Sequence, residues 1–361
     1  MSESLTFALF LCLACSCGLG CKQPSAAKAP PTSTNAGKEV TFKGDGIELA
    51  GTLLMPKDGP GLVPAMLLLP GSGPTDRDGN SGNGAVTIKT DILKQIAERL
   101  AAEGVASLRF DKRAMIRYQA LWPKSAAEID KFFAFSHFIN DANSARYFLR
   151  AQPRIDPARV GILGHSEGGL YAMEIASNAA KAVQPRKNLQ LWKIVLMSAA
   201  GRPLGPLVHD QLAYRLKLGA ASPAETHRFL DWWDAAAAAL ANDKPLPPNQ
   251  PAELATIVNP TVMDLSRAYS KIDPADLLAN TTMPVLLLNG SDDTQVSPTA
   301  DAVRLEKAIA KRRGQAKCRL EIIPGVSHNY KSTAEGGRDA FDGPVSPLAL
   351  DKIAAFVTGK G

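Results

Sequence analysis

Short runs of continuously apolar residues alternate along most of this chain with segments that have a helical pattern. The apolar runs include AMLLLP, VASLRF, RVGILG, WKIVLM and PVLLLN, and segments such as KTDILKQIAERLAAEG separate them. A strand that is apolar on every residue is typical of a parallel sheet with both faces covered by helices. The alternation therefore predicts an α/β fold with a mostly parallel central sheet flanked by helices. The earlier segment EVTFKGDGIELAGTLLMP alternates and turns at KGDG, which predicts a β-hairpin at the leading edge of the sheet.

One long region breaks this alternation. Residues from about 202 to 282 contain helical segments joined by proline-rich turns such as PLPPNQP, and no strand-like run. Because this region lies between two predicted strands, we interpret it as a helical lid inserted into the sheet domain. Its adjacent Trp232 and Trp233 are expected to pack the lid helices together, the alternative being contact with a ligand.

The first residues differ in composition from the rest of the chain. Leu5 to Cys21 form a short apolar segment that runs directly into the stretch KQPSAAKAPPTSTNAGK. This pattern predicts an export signal over residues 1–20 and a flexible linker over residues 21–38, followed by one folded domain over residues 39–361. Cys21 follows GLG, which resembles the small-residue box before the lipidated cysteine of bacterial lipoproteins. We therefore expect a periplasmic or cell-envelope protein anchored to the membrane through Cys21, the alternative being an apolar tail that is not removed.

Charge and cysteine content limit the possible partners. The formal net charge is +6, but the Lys and Arg residues are scattered, with no dense run and no interleaved aromatic residues. We therefore expect no nucleic-acid partner. Four of the five cysteines lie in the first 21 residues, which leaves Cys318 alone in the folded domain and makes an internal disulfide there impossible.

The stretch VGILGHSEGGLYAME indicates a reactive serine. An apolar strand, a tight turn and a helix place Ser166 at the apex of the turn, where a nucleophile is held in a G-x-S-x-G motif. Gly164 and Gly168 allow the turn because larger side chains would collide there. The helix that begins near Glu167 directs its first N–H groups toward the site, so Glu167 is expected to matter more for its backbone N–H than for its carboxylate.

A serine nucleophile needs a base, and His328 is the best candidate among five histidines. It lies in IIPGVSHNY, a loop after the last predicted strand, and sites in open α/β sheets lie at that carboxyl edge. The other histidines are expected to have surface or packing roles: His137, His165, His209 and His227. His165 adjoins the serine, but its side chain is expected to project away from the apex and to pack beside the turn.

Two further groups would complete such a site. VLLLNGSDDTQVSP supplies Asp292 and Asp293 after a buried strand, and either can orient the base. The glycine-rich stretch LLLPGSGPTDRDGN follows an earlier strand, and its Ser72 N–H, with Gly73 as neighbour, is the expected partner of the Glu167 N–H in an oxyanion hole. A phosphate-binding loop is excluded, because no GK[ST] follows and the nearby acids would repel phosphate.

Together these motifs resemble the α/β-hydrolases, and in particular bacterial serine esterases, acyl hydrolases and dienelactone-hydrolase-like proteins. The resemblance rests on GSGPTDRDGN, RFDKR, GHSEGG, NGSDDTQVSP and PGVSHNY, and covers the chain from about residue 39 to its end. The family pattern GxxDxxV falls on Gly290, Asp293 and Val296, which implies that Asp293 is the acid. The sequence DKRAMIRY departs from the family's DKRG, and the bulky Met115 and Tyr118 are expected to reshape the mouth of the pocket.

The resemblance implies a serine hydrolase that cleaves small-molecule carboxylic esters through an acyl-enzyme on Ser166, without a cofactor or a metal. Three alternatives remain open at this point: an acyl thioesterase, a peptidase of the same fold, and a catalytically idle envelope lipoprotein that binds a ligand. The acidic and basic residues near the oxyanion loop, in TDRDG and FDKR, are expected to form a salt-bridged network that braces it.

Overall fold

The computed structural model describes residues 37–57, 59, 61–82, 87–181, 190–312 and 317–360. The predicted export signal over residues 1–20, Cys21 and the predicted linker up to residue 36 lie outside these ranges. Among the described residues, no helix is long and apolar enough to cross a membrane.

An eight-stranded sheet with strand order β1-β2-β6-β3-β7-β8-β9-β10 forms the centre of the fold. Both strands of the leading hairpin are antiparallel to their neighbours, and all the other strands pair in parallel. The sheet strands are β1 (Lys38–Lys43), β2 (Glu48–Leu54), β3 (Val63–Leu69), β6 (Ala106–Phe110), β7 (Ile155–His165), β8 (Ile194–Met197), β9 (Val285–Gly290) and β10 (Cys318–Ile323), and a separate two-stranded ribbon contains β4 (Ser81–Gly82) and β5 (Thr87–Ile88).

Helices cover both faces of the sheet. They are α1 (Ile92–Ala102), α2 (Ala126–Phe132), α3 (Phe135–Arg150), α4 (Glu167–Lys181), α5 (Leu204–Leu218), α6 (Pro223–Ala241), α7 (Met263–Lys271), α8 (Pro274–Ala279), α9 (Val303–Ala310), α10 (Thr333–Gly336) and α11 (Pro347–Thr358). This is the doubly covered, mostly parallel sheet that the continuous apolar runs predict, and it is the α/β-hydrolase fold.

Successive residues of a buried strand belong to different cores. Leu67 and Leu69 of β3 pack with α3 and α4 on one face, whereas Met66 and Leu68 pack with α1 and α11 on the other. All four side chains are at most 1% exposed. Because side chains alternate across a strand, a strand between two apolar layers has to be apolar at every position, which explains the sequence run AMLLL.

The helices α5 to α8 and one turn of 3-10 helix lie between β8 and β9. Trp233 on α6 is fully buried, and its Nε1 donates to the carbonyl of Gly205 on α5 at 2.8 Å. Trp232 donates to the carbonyl of Pro248 at 3.0 Å. Both tryptophans therefore join parts of this helical insertion to one another, as expected.

The stretch after β6 differs from expectation. Residues Ile116–Leu121 form a 3-10 helix, and Tyr118 is buried with its hydroxyl accepting a hydrogen bond from the Ala50 N–H at 2.8 Å. The expectation that Tyr118 shapes the mouth of a pocket is wrong, because its ring and hydroxyl fix this stretch against β2. Met115 packs against the core, and it does not line the pocket described below.

Candidate active site

The turn between β7 and α4 is built around Ser166. β7 ends at His165, α4 begins at Glu167, and Ser166 between them has a φ of +54°, a left-handed conformation that serine rarely adopts. A Cβ on Gly164 would collide with the backbone of Gly168, and one on Gly168 would collide with the backbone of Leu69. Only glycine fits at either position, which is the physical reason for the G-x-S-x-G pattern. The turn is held because the Ser166 N–H donates to the carbonyl of Met197 at 2.9 Å.

Asp293 and His328 lie together at the carboxyl edge of the sheet. Asp293 follows β9 and His328 follows β10, and these two strands are parallel neighbours. His328 Nδ1 is 3.1 Å from Asp293 Oδ1 and 3.0 Å from Oδ2. The same carboxylate accepts hydrogen bonds from the backbone N–H groups of Gln295 and Val296, each at 2.9 Å. Asp292 is not in this cluster, because its carboxylate accepts a hydrogen bond from Thr333 instead.

Burial and pairing act in opposite directions on the Asp293 carboxyl. Burial alone would raise its pKa, but the nearby charge and hydrogen bond of His328, together with the Val296 N–H, hold the pKa of Asp293 below its usual value. Asp293 is therefore ionised at neutral pH. An ionised carboxylate on Nδ1 fixes the His328 tautomer that has its proton on that nitrogen and leaves Nε2 free to accept a proton.

The structure brings His328 to the neighbourhood of Ser166 but does not join the two side chains. The ring of His165, the residue before Ser166, lies 4.9 Å from the ring of His328, and His165 Nε2 donates to the His328 carbonyl at 3.0 Å. The Ser166 hydroxyl forms no hydrogen bond with any residue in the described part of the chain. Catalytic hydrogen bonds of this kind often tighten only in the complex with substrate.

His165 has a larger role than the sequence indicated. Burial, followed by the proximity of His328, lowers the pKa of His165 to about 3. It is therefore neutral at physiological pH, and the hydrogen bond to the His328 carbonyl assigns its proton to Nε2. His165 anchors the backbone of the loop that contains His328. The G-x-S-x-G motif contains this residue, but nothing in the sequence connects it to a loop 163 residues further on.

Ser72 and Glu167 line the same pocket as Ser166. Neither the Ser72 N–H nor the Glu167 N–H has an acceptor among the described residues, so both remain available as donors. The loop passes close to the serine, because a Cβ on Gly71 would lie 3.4 Å from Ser166 Cβ. Gly73, with a φ of +75°, does not line the pocket but makes the turn that follows Ser72.

Part of the ion-pair network expected from TDRDG and FDKR surrounds the oxyanion loop, but Arg113 is not in it and pairs with Asp141 on α3 instead. Arg77 makes a two-pronged contact with Asp111, through Nη2 at 2.8 Å and Nε at 3.1 Å. Asp78 is paired with Arg109 on β6. The bidentate geometry restricts both partners more than a single contact would, so it fixes the loop to the end of β6.

The Glu167 carboxylate has partners that the sequence analysis did not anticipate. Its Oε2 accepts a hydrogen bond from Lys112 Nζ at 2.9 Å, and its Oε1 accepts one from the Tyr269 hydroxyl at 2.6 Å. Lys112 follows β6 and Tyr269 lies on α7, so a single carboxylate joins α4, the sheet edge and the helical insertion. The expectation that Glu167 matters more for its backbone N–H than for its carboxylate therefore left out a structural role of the carboxylate.

The pocket above Ser166 contains about 560 Å³ of empty space, including the open solvent at its mouth. Most of its lining is apolar and comes from α4, the loop after β8, α5, the segment from the end of α7 to the first residue of α8, and the loop after β9: Leu170, Ala200, Leu204, Leu207, Ile272, Pro274 and Val296. Arg202 also lines it and is paired with the fully buried Asp301 at 3.0 Å and with Asp210 at 2.6 Å. The pocket therefore suits an uncharged, largely apolar group.

Comparison with known proteins agrees with this architecture. Residues 89–331 match the family model described as serine aminopeptidase, S33. The chain is 30% identical over 329 residues to Esterase EstD of Thermotoga maritima, which covers 89% of this chain and 67% of that protein.

Two solved structures share the fold at low sequence identity. Est1E from Butyrivibrio proteoclasticus aligns with a TM-score of 0.53 at 16% identity, over 89% of this chain and 98% of that one. A puromycin-hydrolyzing peptidase from Mycobacterium tuberculosis aligns with a TM-score of 0.54 at 17% identity, over 91% of this chain and 40% of that one. Because the family match covers more than half of the chain, and because the sheet, the serine turn and the acid–histidine pair have the arrangement described above, the chain belongs to the serine aminopeptidase S33 family of α/β-hydrolases.

Proposed function

We propose that the protein is an esterase that cleaves carboxylic esters through an acyl-enzyme on Ser166. The observation that carries this proposal is the buried Asp293–His328 pair, which lies beside the turn that presents Ser166. The relative at 30% identity is an esterase by name, Esterase EstD, which supports the proposal.

Each step of the proposed reaction uses a group described above. Ser166 Oγ attacks the ester carbonyl while His328 Nε2 accepts the hydroxyl proton, and Asp293 stabilises the imidazolium that forms. The Ser72 and Glu167 N–H groups donate to the oxyanion of the tetrahedral intermediate. His328 then gives its proton to the departing alkoxide, and the alcohol leaves. Water, deprotonated by the same histidine, attacks the acyl-enzyme, and His328 returns that proton to Ser166 Oγ as the carboxylic acid leaves.

The pocket favours an ester over a peptide with a free N-terminus. An aminopeptidase has to pair the α-ammonium of its substrate with an acceptor, most effectively a carboxylate. Glu167 is the one carboxylate among the described residues that line the pocket, and its charge is already paired with the buried Lys112 ammonium. A thioester fits the same apolar pocket, so a thioesterase remains the second candidate. Comparing the rates on an ester and on its thioester analogue distinguishes the two activities.

The test is Ser166→Ala, assayed on p-nitrophenyl butyrate and its thioester analogue, with Ser177→Ala as the matched control. Ser177 is a fully buried serine on α4, the helix that begins directly after Ser166, and its hydroxyl has no hydrogen-bond partner among the described residues. Ser166→Ala should lower kcat by at least about 10³-fold, whereas Ser177→Ala should leave it within about twofold. A fluorophosphonate probe should label wild type and not Ser166→Ala. Wild-type protein that neither hydrolyses esters nor takes up the probe would show that it is an idle binding protein.

We also propose, from the sequence alone, that the protein is exported and anchored to the cell envelope through a lipid on Cys21. The apolar segment before Cys21 and the GLG that precedes it support this. Incorporation of radiolabelled palmitate into the wild type, but not into Cys21→Ser, is the expected result. Equal labelling of both, or labelling of neither, would contradict the anchor.

A further inference from the structure

Lys112 contacts both halves of the proposed oxyanion hole. It follows β6, its side chain is 4% exposed, and its Nζ donates to the carbonyl of Gly71 at 2.6 Å and to Glu167 Oε2 at 2.9 Å. The Gly71 carbonyl belongs to the same peptide group as the Ser72 N–H. The Glu167 carboxylate belongs to the residue whose backbone N–H is the second donor of the oxyanion hole. A buried ammonium is costly unless it is well paired, so both contacts are needed to keep it there.

The contact with Gly71 determines the direction of the Ser72 N–H. No peptide bond in the described chain is cis, so the carbonyl and the N–H of the Gly71–Ser72 peptide point in opposite directions. An ammonium bonded to the Gly71 oxygen therefore holds the Ser72 N–H on the opposite side of the peptide plane, where Ser72 lines the pocket. Hydrogen bonding to the carbonyl also polarises the peptide and makes its N–H a stronger donor.

The contact with Glu167 fixes the second donor. Glu167 is the first residue of α4, so its N–H is among the helix-end groups that have no partner within the helix. The side chain of the same residue is held on one oxygen by Lys112 and on the other by Tyr269. The start of α4 is thereby tied to the ammonium that holds the Gly71–Ser72 peptide.

We propose that Lys112 is a positioning residue of the oxyanion hole, which sets the Ser72 and Glu167 N–H groups toward one point by holding the Gly71 carbonyl and the Glu167 carboxylate together. This inference rests on the proposed function, because acyl transfer is the chemistry that uses such a pair of donors. Lys112 itself does not touch the substrate, since it lies behind the loop and does not line the pocket.

The test compares Lys112→Met with Lys193→Met. Lys193 is a matched control because its Nζ also bridges two carbonyl oxygens, those of Phe356 at 2.7 Å and Val357 at 3.1 Å, and it lies just before β8 at the edge of the sheet opposite the site. Lys112→Met should lower kcat for p-nitrophenyl butyrate by about 10²-fold, the effect of losing one oxyanion donor, with KM changed by less than about threefold. The rate of labelling by a fluorophosphonate should fall in parallel. Lys193→Met should lower the melting temperature and leave kcat within about twofold.

The outcomes separate the inference from the proposed function. A folded Lys112→Met with kcat within about threefold of wild type, or with a loss confined to KM, overturns the positioning role while the esterase proposal stands. A wild type without esterase activity or probe labelling overturns both. If Lys112→Met does not fold, Lys112→Gln, whose side chain is polar but shorter and uncharged and so cannot bridge the Gly71 carbonyl and the Glu167 carboxylate, should fold and lose kcat with KM little changed. Full kcat in Lys112→Gln would again overturn the inference.

Discussion

His165 Nε2 lies 3.0 Å from the backbone carbonyl oxygen of His328, and this hydrogen bond joins the residue before the proposed nucleophile to the residue proposed as its base. The two imidazole rings are 4.9 Å apart. The position of the His328 backbone is therefore fixed from the serine turn, while the position of its ring is fixed by Asp293. A shift in either contact would change the distance between the base and the serine.

The first prediction concerns the kinetic role of this contact. His165→Leu removes the donor but preserves much of the buried volume, so the His328 loop should move and kcat should fall about tenfold, the equivalent of one lost hydrogen bond. KM should stay within about twofold of wild type because His165 does not line the pocket. His165→Gln retains an N–H donor and should recover part of kcat. Steady-state kinetics on p-nitrophenyl butyrate measures both, and equal kcat in all three proteins would contradict the anchoring role.

The second prediction concerns stability as a function of pH. Burial and the nearby His328 lower the pKa of His165 to about 3 in the folded protein, whereas an unfolded histidine titrates near pH 6.5. Between these values the unfolded chain binds the extra proton, so this contribution to stability is complete above about pH 6.5 and decreases as the pH falls toward 3. From about pH 8 to pH 5 it should decrease by about 2 kcal/mol.

Urea unfolding of the wild type and His165→Gln at both pH values measures this contribution. Glutamine does not titrate, so the stability difference between the two proteins should narrow at the lower pH by the amount given above. A difference that is constant with pH would show that His165 is not held neutral.

The features of this fold that depend on residues close together in the sequence were predictable from the sequence. Continuously apolar runs such as AMLLL predict the buried strands. Gly164 and Gly168 predict the serine turn, because a Cβ at either position would collide with backbone atoms. Parallel strands also bring their carboxyl ends to one edge, so the loops after β9 and β10 were bound to lie close together. The choice between Asp292 and Asp293 could not be made from the residues alone and depended on family resemblance.

The contacts that were missed join residues far apart in the chain. Glu167 and Tyr269 are 102 residues apart, and no periodicity or motif connects them. The Tyr269 side chain reaches Glu167 because α7 packs over the site, and the orientation of a helical insertion is decided by packing rather than by its own sequence pattern. The expectation for Tyr118 was wrong for the same reason, since its partner is the backbone N–H of Ala50, on a strand 68 residues away in the sequence.

The third prediction separates the two adjacent acids. Asp293→Asn replaces an ionised acceptor with an amide that can donate to His328 Nδ1 and so favour the wrong tautomer, and kcat should fall by about 10⁴-fold. Asp292→Asn should leave kcat within about threefold, because the Asp292 carboxylate is bonded to Thr333 and not to His328. Active-site titration with a fluorophosphonate gives the concentration of correctly folded enzyme in each preparation, and kcat is calculated from that concentration. A larger effect at Asp292 than at Asp293 would reverse the assignment.

The last prediction concerns the length of the acyl group. Leu207 on α5 lines the pocket, whereas Leu212 on the same helix is buried in the core and does not. Leu207→Ala removes three carbons from the wall of the pocket, and burial of the additional methylenes of a longer ester is worth about 0.8 kcal/mol each. The ratio of kcat/KM for p-nitrophenyl octanoate to that for the butyrate should therefore rise about tenfold in Leu207→Ala. Leu212→Ala should lower stability by about 2–5 kcal/mol and leave the ratio unchanged. A ratio that changes equally in both variants would show that the insertion has loosened as a whole and that Leu207 does not limit the acyl chain.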